Sequence, residues 1–150
     1  MFRTIVAGTD GSPTAADAVR HAAAIAGMCG ASVHVVSAYN TGAVLQSIAC
    51  ASGAALPADA YRLGESAESE ARARLDVIKR ELATSGIKVD THALPGDASD
   101  AILRLAKAKG ADLIVVGNKG MSGTKRFVLG SVPNRVTHSA PCHVLVVSTT

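Results

Sequence analysis

The sequence predicts an α/β fold in which an open, mainly parallel five-stranded sheet has helices on both faces. Five short, apolar, β-rich runs alternate with four helical patterns along the 150 residues. The last two strand-like runs are continuously apolar, which is typical of parallel strands covered on both sides. Right-handed crossovers between such strands place helices on both faces. The length fits one domain, over residues 1–150.

The first β-α-β unit has clear boundaries in the sequence. A strand is expected over Thr4–Gly8 and a second over Ser32–Ala38. Between them, Ser12 suits the N-cap of a helix whose first residue is a proline, and Gly27 or Gly30 ends that helix. Small apolar residues recur at helical spacing and predict the buried face; they are Ala15, Ala18, Val19, Ala22 and Ala26.

A second helix is expected from about Ser66 to Ser85, followed by Gly86 and a strand over Ile87–Ala93. The buried positions of this helix are Ala71, Leu75, Ile78 and Leu82. Its outer face has acid–base pairs at i,i+4 spacing, which are Glu68–Arg72, Glu70–Arg74 and Asp76–Arg80. The segment Asn40–Gly64 is long for a plain loop, and we expect a partly helical excursion or a mobile flap there.

The last third of the chain contains two more helix–strand units. A helix capped by Asp97 is expected to end at Gly110 and to precede a strand over Leu113–Val116. Another helix begins near Ser131, with Pro133 in its first turn, ends before Pro141 and leads into a strand over Val144–Val147. The third helix is expected to bury Ala98, Ala101, Ile102 and Leu105.

Composition excludes several classes of protein. The net charge of +3 is too small to argue for nucleic acid, and no apolar run approaches the ~18 residues of a membrane span. The N-terminal residues lack the pattern of a signal peptide. Cys29, Cys50 and Cys142 are widely spaced and odd in number, so no disulfide framework is expected. These features favour a cytoplasmic protein with no nucleic acid or membrane partner.

The charges are unevenly distributed along the chain. No Asp or Glu follows Asp112, whereas four cations lie beyond it, at Lys119, Lys125, Arg126 and Arg135. A local positive field of this kind suits a small anion, although for any one of these cations alone we favour solvated surface charge.

A glycine motif follows the fourth predicted strand and ends where the fourth helix begins. It has the form G-x-x-G-x(9)-G-S, with Gly117, Gly120, Gly130 and Ser131 at the fixed positions. Glycine lets the backbone approach an anion closely, and free N–H groups at a helix start favour phosphate. The alternative is a glycine-rich surface loop beside an ordinary N-cap. We favour a phosphate site, in which a bulky residue at 117 or 130 would weaken binding.

A second candidate lies at the end of the first strand, in Gly8-Thr9-Asp10-Gly11-Ser12. Asp10 could accept hydrogen bonds from a ribose or help to hold a metal, or it could simply form the turn before the Ser12 cap. Ligands of open α/β sheets bind beyond the carboxyl ends of strands where the strand order reverses. Both glycine-rich segments fit such a place if the first and fourth strands are neighbours.

These two segments, GTDGS and GNKGMSGTKRFVLGSVPNRV, resemble the universal stress protein family, and the likeness extends from Arg3 to the final strand. The resemblance implies an adenine nucleotide alpha hydrolase-like, Rossmann-like sheet of order 3-2-1-4-5. The G-x-x-G-x(9)-G-S element further implies the ATP-binding branch, with Mg or Mn accompanying ATP and a regulatory role in stress response. Some ATP-binding relatives carry Pro where this chain has Gly8, and the change removes an apolar wall against adenine.

The same resemblance assigns residues to the ligand. It implies that adenine and ribose are surrounded by Gly8, Thr9, Asp10 and Ala38. It implies that ribose and phosphates are held by Val116, Gly117, Gly120, Gly130, Ser131 and Val132.

The sequence contains no P-loop, no dinucleotide fingerprint and no nucleophile elbow. The five histidines are dispersed, so no catalytic residue is expected and hydrolysis of ATP should be slow at most. The open alternatives are a slow nucleotide hydrolase, a protein that binds AMP or cyclic AMP, and an interaction protein with a vestigial nucleotide site.

A homodimer through Val144–Val147 is also expected, because this apolar edge lacks the charges that protect Ile87–Ala93.

Overall fold

The computed structural model describes residues 1–40, 50, 58–119 and 129–148. The strands are β1 (Thr4–Gly8), β2 (Ser32–Tyr39), β3 (Lys88–Pro95), β4 (Leu113–Gly117) and β5 (His143–Val147). The helices are α1 (Pro13–Cys29), α2 (Ala58–Leu82), α3 (Ala98–Lys109) and α4 (Ser131–Ser139). A short 3-10 turn over Ala83–Ser85 follows α2. The predicted alternation of strands and helices is confirmed.

All five strands pair in parallel, in the order β3-β2-β1-β4-β5. The expected order is therefore confirmed, and β1 is the central strand. The pairing of β1 with β4 joins residues far apart in the chain, with Ile5 opposite Leu113. The carboxylate of Asp112 strengthens this junction by accepting the N–H groups of Arg3 at 2.7 Å and Thr4 at 3.0 Å. The chain leaves β1 toward β2 and later returns to its other side, so the strand order reverses there.

Two apolar cores lie on opposite faces of the sheet. On one face, α1 and α2 cover residues such as Ile5, Val33 and Val115. On the other, α3 and α4 cover residues such as Val6 and Ile114. The five predicted inward positions of α1 are all buried; they are Ala15, Ala18, Val19, Ala22 and Ala26. Their small side chains allow α1 to lie close to the sheet.

The predicted helix boundaries are correct for three of the four helices. The Ser12 hydroxyl accepts the N–H of Ala15 at 3.2 Å, and α1 ends at Gly30. The Asp97 carboxylate accepts the N–H groups of Ser99 and Asp100 at the start of α3, which ends at Gly110. Short-range hydrogen bonds of this kind depend on a few adjacent residues, so the sequence is enough to predict them.

The prediction for α2 was wrong at its start. The helix begins at Ala58 rather than Ser66 and continues through Gly64. One interior glycine costs a helix only about 1 kcal/mol, which is too little to end a helix of this length. Residues 41–49 and 51–57, most of the segment expected to form an excursion or flap, lie outside the described residues.

The expected ion pairs along α2 are confirmed only in part. Arg72 Nη2 lies 2.6 Å from Glu68 Oε1, as predicted. In contrast, Arg74 Nε donates to the backbone carbonyl of Glu70 at 3.5 Å, and Arg80 Nε donates to that of Asp76 at 3.3 Å. Each of these two guanidinium groups thus donates to the backbone carbonyl four residues earlier, and not to the predicted carboxylate.

Two histidines meet on the sheet face that α3 covers. Nδ1 of His34 on β2 lies 3.1 Å from Nε2 of His92 on β3, and His34 is only 7% exposed. Burial lowers the pKa of both imidazoles, and the neighbouring His92 lowers that of His34 further. Asp90 opposes this shift, while Lys109 of α3 adds to it for both rings and Lys88 adds to it for His34.

The lowered pKa values predict a loss of stability in mild acid. The unfolded chain binds protons near the ordinary histidine pKa of about 6.5, whereas the folded chain binds them only at lower pH. The free energy of unfolding should therefore fall as pH drops below that value. Urea unfolding at about pH 7.5 and about pH 5.5 measures the loss.

In the His92→Gln variant, the free energy of unfolding should fall less on acidification than in the wild type. The His138→Gln variant, changed at an exposed site on α4, should lose as much as the wild type does. An equal loss in His92→Gln and the wild type would contradict the assignment to this pair.

Candidate functional site

A cavity of about 640 Å³ opens at the carboxyl edge of the sheet, where β1 and β4 separate. Its walls come from the ends of β1, β2 and β4, from the first turns of α1 and α4, and from α3. The lining residues are Gly8, Thr9, Asp10, Ala15, Val36, Ala38, Ala98, Ile102, Val116, Gly117, Lys119, Leu129, Gly130, Ser131, Val132 and Pro133.

Nine of the ten residues assigned by resemblance lie on this one cavity. The structure brings Gly8–Asp10 and Ala38 together with Val116–Gly117 and Gly130–Val132, although these segments are far apart in sequence. The tenth, Gly120, lies outside the described residues. The role of each residue toward a ligand stays a prediction at this point.

One half of the cavity is apolar. Val36 and Ala38 are two residues apart on β2, so their side chains share the face covered by α3. Ile102 of α3 and Val116 of β4 complete this wall. Sequence reasoning placed Ile102 only in the buried stripe of its helix. The period of two along β2 could have identified Val36, but the distance between α3 and the sheet cannot be read from a single sequence.

Gly8 and Ile102 are closely matched in shape. A Cβ built on Gly8 would lie 2.6 Å from Ile102 Cδ1, closer than any real contact. Ile102 therefore occupies the space that a side chain at position 8 would take, and it also lines the cavity. Ile102 thus provides apolar surface from α3 beside Gly8, where the family resemblance implies that an apolar wall is lost.

The loop after β1 is fixed by its own hydrogen bonds. The Thr9 N–H donates to the Val36 carbonyl at 2.9 Å, and the Thr9 hydroxyl accepts the Gly11 N–H at 3.2 Å. Asp10 Oδ1 accepts the Ser12 N–H at 2.9 Å, which is the turn role that the sequence offered as the alternative for Asp10. Asp10 has this structural role and also faces the cavity.

The other half of the cavity contains the start of α4. Gly130 is the N-cap, with its N–H donating to the Asn118 carbonyl at 3.0 Å, and no side chain caps the helix. Ser131 is the first helical residue, so its hydroxyl does not cap α4. The N–H groups of Ser131 and Val132 point out of the helix end, where the helix dipole favours an anion. Lys119 adds a positive charge to the lining.

Gly117 is required for a reason that the motif does not reveal. A Cβ at this position would lie 2.8 Å from Thr14 Cγ2 and 3.0 Å from the Thr14 carbonyl oxygen. Its φ is not positive, and Gly130 has an ordinary φ of −59°. The glycine at 117 is therefore needed for the contact between α1 and β4, independently of any ligand.

The described residues hold no group of three or more His, Cys, Asp or Glu side chains arranged to bind a metal ion. Asp10 is the acidic residue among those that line the cavity. None of the helices in the described part of the chain is long and apolar enough to cross a membrane.

Comparison with known proteins gives consistent matches over the whole chain. The model of the universal stress protein family matches residues 1–148. Universal stress protein MJ0531 of Methanocaldococcus jannaschii is 33% identical over 149 residues, covering 98% of this chain and 82% of that protein.

Two solved structures extend the comparison to three dimensions. The structure of protein MJ0577 of the same organism has a TM-score of 0.83 at 27% identity, with 100% of this chain and 98% of that chain covered. A universal stress protein in complex with cAMP has a TM-score of 0.72 at 29% identity, covering 99% and 98% of the two chains.

The contact between Gly117 and Thr14 predicts that Gly117→Ala destabilises the fold before any ligand is considered. The new methyl group would press on backbone atoms, and overpacking of this kind costs about 1–3 kcal/mol. Chemical denaturation measures the free energy of unfolding. Gly27→Ala is a matched control inside α1, because its Cβ would meet nothing closer than 3.9 Å; we expect it to gain roughly 0.5–1 kcal/mol. Equal stability of the Gly117→Ala variant and the wild type would contradict the contact.

Proposed function

Because the chain belongs to the universal stress protein family, we propose that it binds ATP in the cavity between β1 and β4 and acts as a regulatory protein in a stress response. One observation supports this proposal above the others. A single cavity joins an apolar wall, suited to a flat base, with an open helix N-terminus, suited to phosphate. Its volume of about 640 Å³ is in the range of small-molecule sites.

In this proposal, adenine packs between Val36, Ala38 and Ile102, and the ribose lies beside Thr9 and Asp10. The apolar wall contributes through surface removed from water, worth about 25 cal/mol for each Å² buried. Ile102, which occupies the space beside Gly8, supplies the apolar surface that Gly8 lacks. The acidic Asp10 offers a carboxylate acceptor for ribose hydroxyl groups.

The phosphates would then lie over Gly117 and Val116 and reach the start of α4. The N–H groups of Ser131 and Val132 would donate to phosphate oxygens, with Lys119 balancing their charge. Gly120, which lies outside the described residues, is assigned to the same phosphate site by the family resemblance. Mg or Mn would enter bound to the phosphates, whose negative charge the cation neutralises.

A binding role is favoured over rapid catalysis. A general base must lie within hydrogen-bond reach of the water that it activates. Asp10 already accepts the Ser12 N–H and belongs to the loop after β1, whereas we propose that the phosphates lie at the start of α4. We therefore propose at most slow turnover of ATP. The free thiols of Cys29, Cys50 and Cys142 agree with action in a reducing cytoplasm.

Cyclic AMP is a second candidate ligand, because a related universal stress protein has been solved in complex with cAMP. The same apolar wall would accept its adenine, and its single phosphate would need fewer donors than a triphosphate. Calorimetric titration with ATP, AMP and cyclic AMP separates these ligands by affinity.

The helix-end assignment predicts that Ser131→Pro weakens ATP binding by about tenfold or more. The change removes one N–H donor, and a hydrogen bond to a charged group contributes about 1.5–3 kcal/mol. Proline suits the first helical position, and Gly130 already has the extended conformation required before proline, with φ −59° and ψ 162°. Ser131→Ala is the matched control, since it removes the hydroxyl but keeps the N–H; isothermal titration calorimetry should find only a small loss.

Wild-type affinity in the Ser131→Pro variant would contradict the placement of phosphate at α4. Absence of adenine nucleotide binding by the wild type would instead favour an interaction protein with a vestigial site.

We also propose a homodimer formed through β5. This strand is at an edge of the sheet, and its residues Val144, Leu145 and Val146 are only partly buried within one chain. The Val147 carbonyl accepts the Asn118 N–H at 2.8 Å, so the polar backbone groups of Val147 face β4. Backbone groups alternate along a strand, and those of Val146 therefore face outward, where a second copy would satisfy them.

Val146→Pro should convert the dimer to a monomer without breaking the pairing of β4 with β5, because it removes an outward N–H. Light scattering at protein concentrations of roughly tens of micromolar should give a molar mass of twice 15.2 kDa for the wild type and of 15.2 kDa for the variant. Leu145→Pro is the contrasting variant, because its N–H faces β4 and its loss should destabilise the chain. A monomeric wild type would refute the dimer, and a dimeric Val146→Pro would move the interface elsewhere.

A further inference from the structure

Arg74 of α2 is bonded to the loop that forms one wall of the cavity. Its Nη1 donates to the backbone carbonyl of Asp10 at 2.8 Å, across a separation of 64 residues. Asp10 lines the cavity, whereas none of the described lining residues belongs to α2. The guanidinium therefore acts on the site through the loop and not by touching a ligand.

The stem of the same side chain covers the next residue of the loop. Gly11 has a φ of +83°, and a Cβ built on it would lie 2.6 Å from Arg74 Cδ. The methylene groups of Arg74 therefore lie directly on the Gly11 backbone. A left-handed backbone conformation is accessible to glycine, and the hydrogen bonds from the Gly11 and Ser12 N–H groups to Thr9 and Asp10 hold it from within the loop. The packing of Arg74 on Gly11 adds a restraint from outside the loop.

A second contact from α2 holds the neighbouring strand end. The Glu68 carboxylate, which also pairs with Arg72, forms a hydrogen bond with Tyr39 at the end of β2. Burial and the negative charge of Glu68 raise the pKa of the Tyr39 hydroxyl. Ala38, the residue before Tyr39, lines the apolar half of the cavity. Thus α2 is bonded to both strand ends on the side proposed for adenosine.

We propose that Arg74 is a positioning residue that holds Asp10 and Gly11 in place for the adenosine part of the ligand. This inference rests on the proposed function, since it concerns the affinity of the same cavity. The half of the cavity proposed for the phosphates lies at the start of α4. It is held separately, by the hydrogen bond from the Gly130 N–H to the Asn118 carbonyl. Loss of Arg74 should therefore weaken ATP and adenosine by the same factor, whereas loss of the Ser131 N–H should weaken ATP alone.

The experiment compares Arg74→Ala, Arg74→Lys and Arg80→Ala with the wild type. Arg80 is a matched control, because its Nε donates to the carbonyl four residues earlier just as that of Arg74 does. Calorimetric titration with ATP and with adenosine should show affinities about fivefold to tenfold weaker for Arg74→Ala, less than the loss of a charged hydrogen bond made directly to the ligand, because Arg74 acts through the loop. Arg74→Lys, which retains most of the stem and a cationic donor, should recover part of the loss.

A second measurement needs no ligand. Hydrogen exchange of the Gly11 and Ser12 amides should be faster in Arg74→Ala than in Arg80→Ala, with the exchange of the central strand β1 unchanged. Faster exchange confined to this loop supports the restraint even if Arg74→Ala lowers the overall stability slightly.

The outcomes separate the two proposals. If the wild type binds neither ATP nor adenosine, the proposed function fails, and the exchange measurement alone decides whether Arg74 restrains the loop. Equal exchange in Arg74→Ala and Arg80→Ala overturns the inference. A weakened affinity for ATP with an unchanged affinity for adenosine also overturns it, because Arg74 would then act on the phosphate half.

Discussion

The close approach of α1 to β1 and β4 is the constraint on which the rest of the structure depends. The inward face of α1 is alanine-rich, with Ala18, Ala22 and Ala26 all at 0% exposure. At its first turn, Thr14 fits against Gly117 with no room for a side chain between them. This contact fixes how closely the end of β4 approaches the first turn of α1, beside the cavity that Ala15 and Gly117 both line.

The two halves of the cavity are built by different physical means. The apolar half follows from strand register, because Val36 and Ala38 face α3 as a consequence of the period of two along β2. The polar half follows from an uncapped helix end, whose N–H groups need no side chain to attract an anion. The apolar half therefore tolerates changes that keep its volume, whereas the polar half depends on backbone geometry at Gly130 and Ser131. A ligand that joins a flat base to a phosphate suits both halves at once.

The sequence predicted the elements whose boundaries are set locally and missed those set by distant packing. The caps at Ser12 and Asp97 involve residues two or three positions apart, so they were found. The start of α2 at Ala58 was not predicted; the helix runs through Gly64, whose cost in a long helix is small. The strand order 3-2-1-4-5 followed from family resemblance, since hydrophobic periodicity does not say which strands are neighbours.

In the candidate site, too, the sequence predicted what is set locally and missed what is set by distant packing. Glycine spacing located Gly117 and Gly130 on the cavity, but the partner that demands a glycine at 117 is Thr14, and this contact is visible only in three dimensions. Ile102 and Arg74 were each assigned a role on their own helix, a buried stripe and a surface ion pair. Their larger roles arise from what lies across from them, Gly8 in one case and the Asp10–Gly11 turn in the other.

The pairing of β1 with β4 has a consequence for the order in which the chain folds during synthesis. The first three strands can pair as soon as they leave the ribosome, but one edge of β1 stays open until residues 113–117 follow. The bonds from Asp112 to Arg3 and Thr4, across 109 and 108 residues, close only then. A nascent chain that stops short of β4 therefore exposes an apolar edge strand, a natural contact for chaperones and a starting point for aggregation. The native state becomes accessible only after about three quarters of the chain has been made.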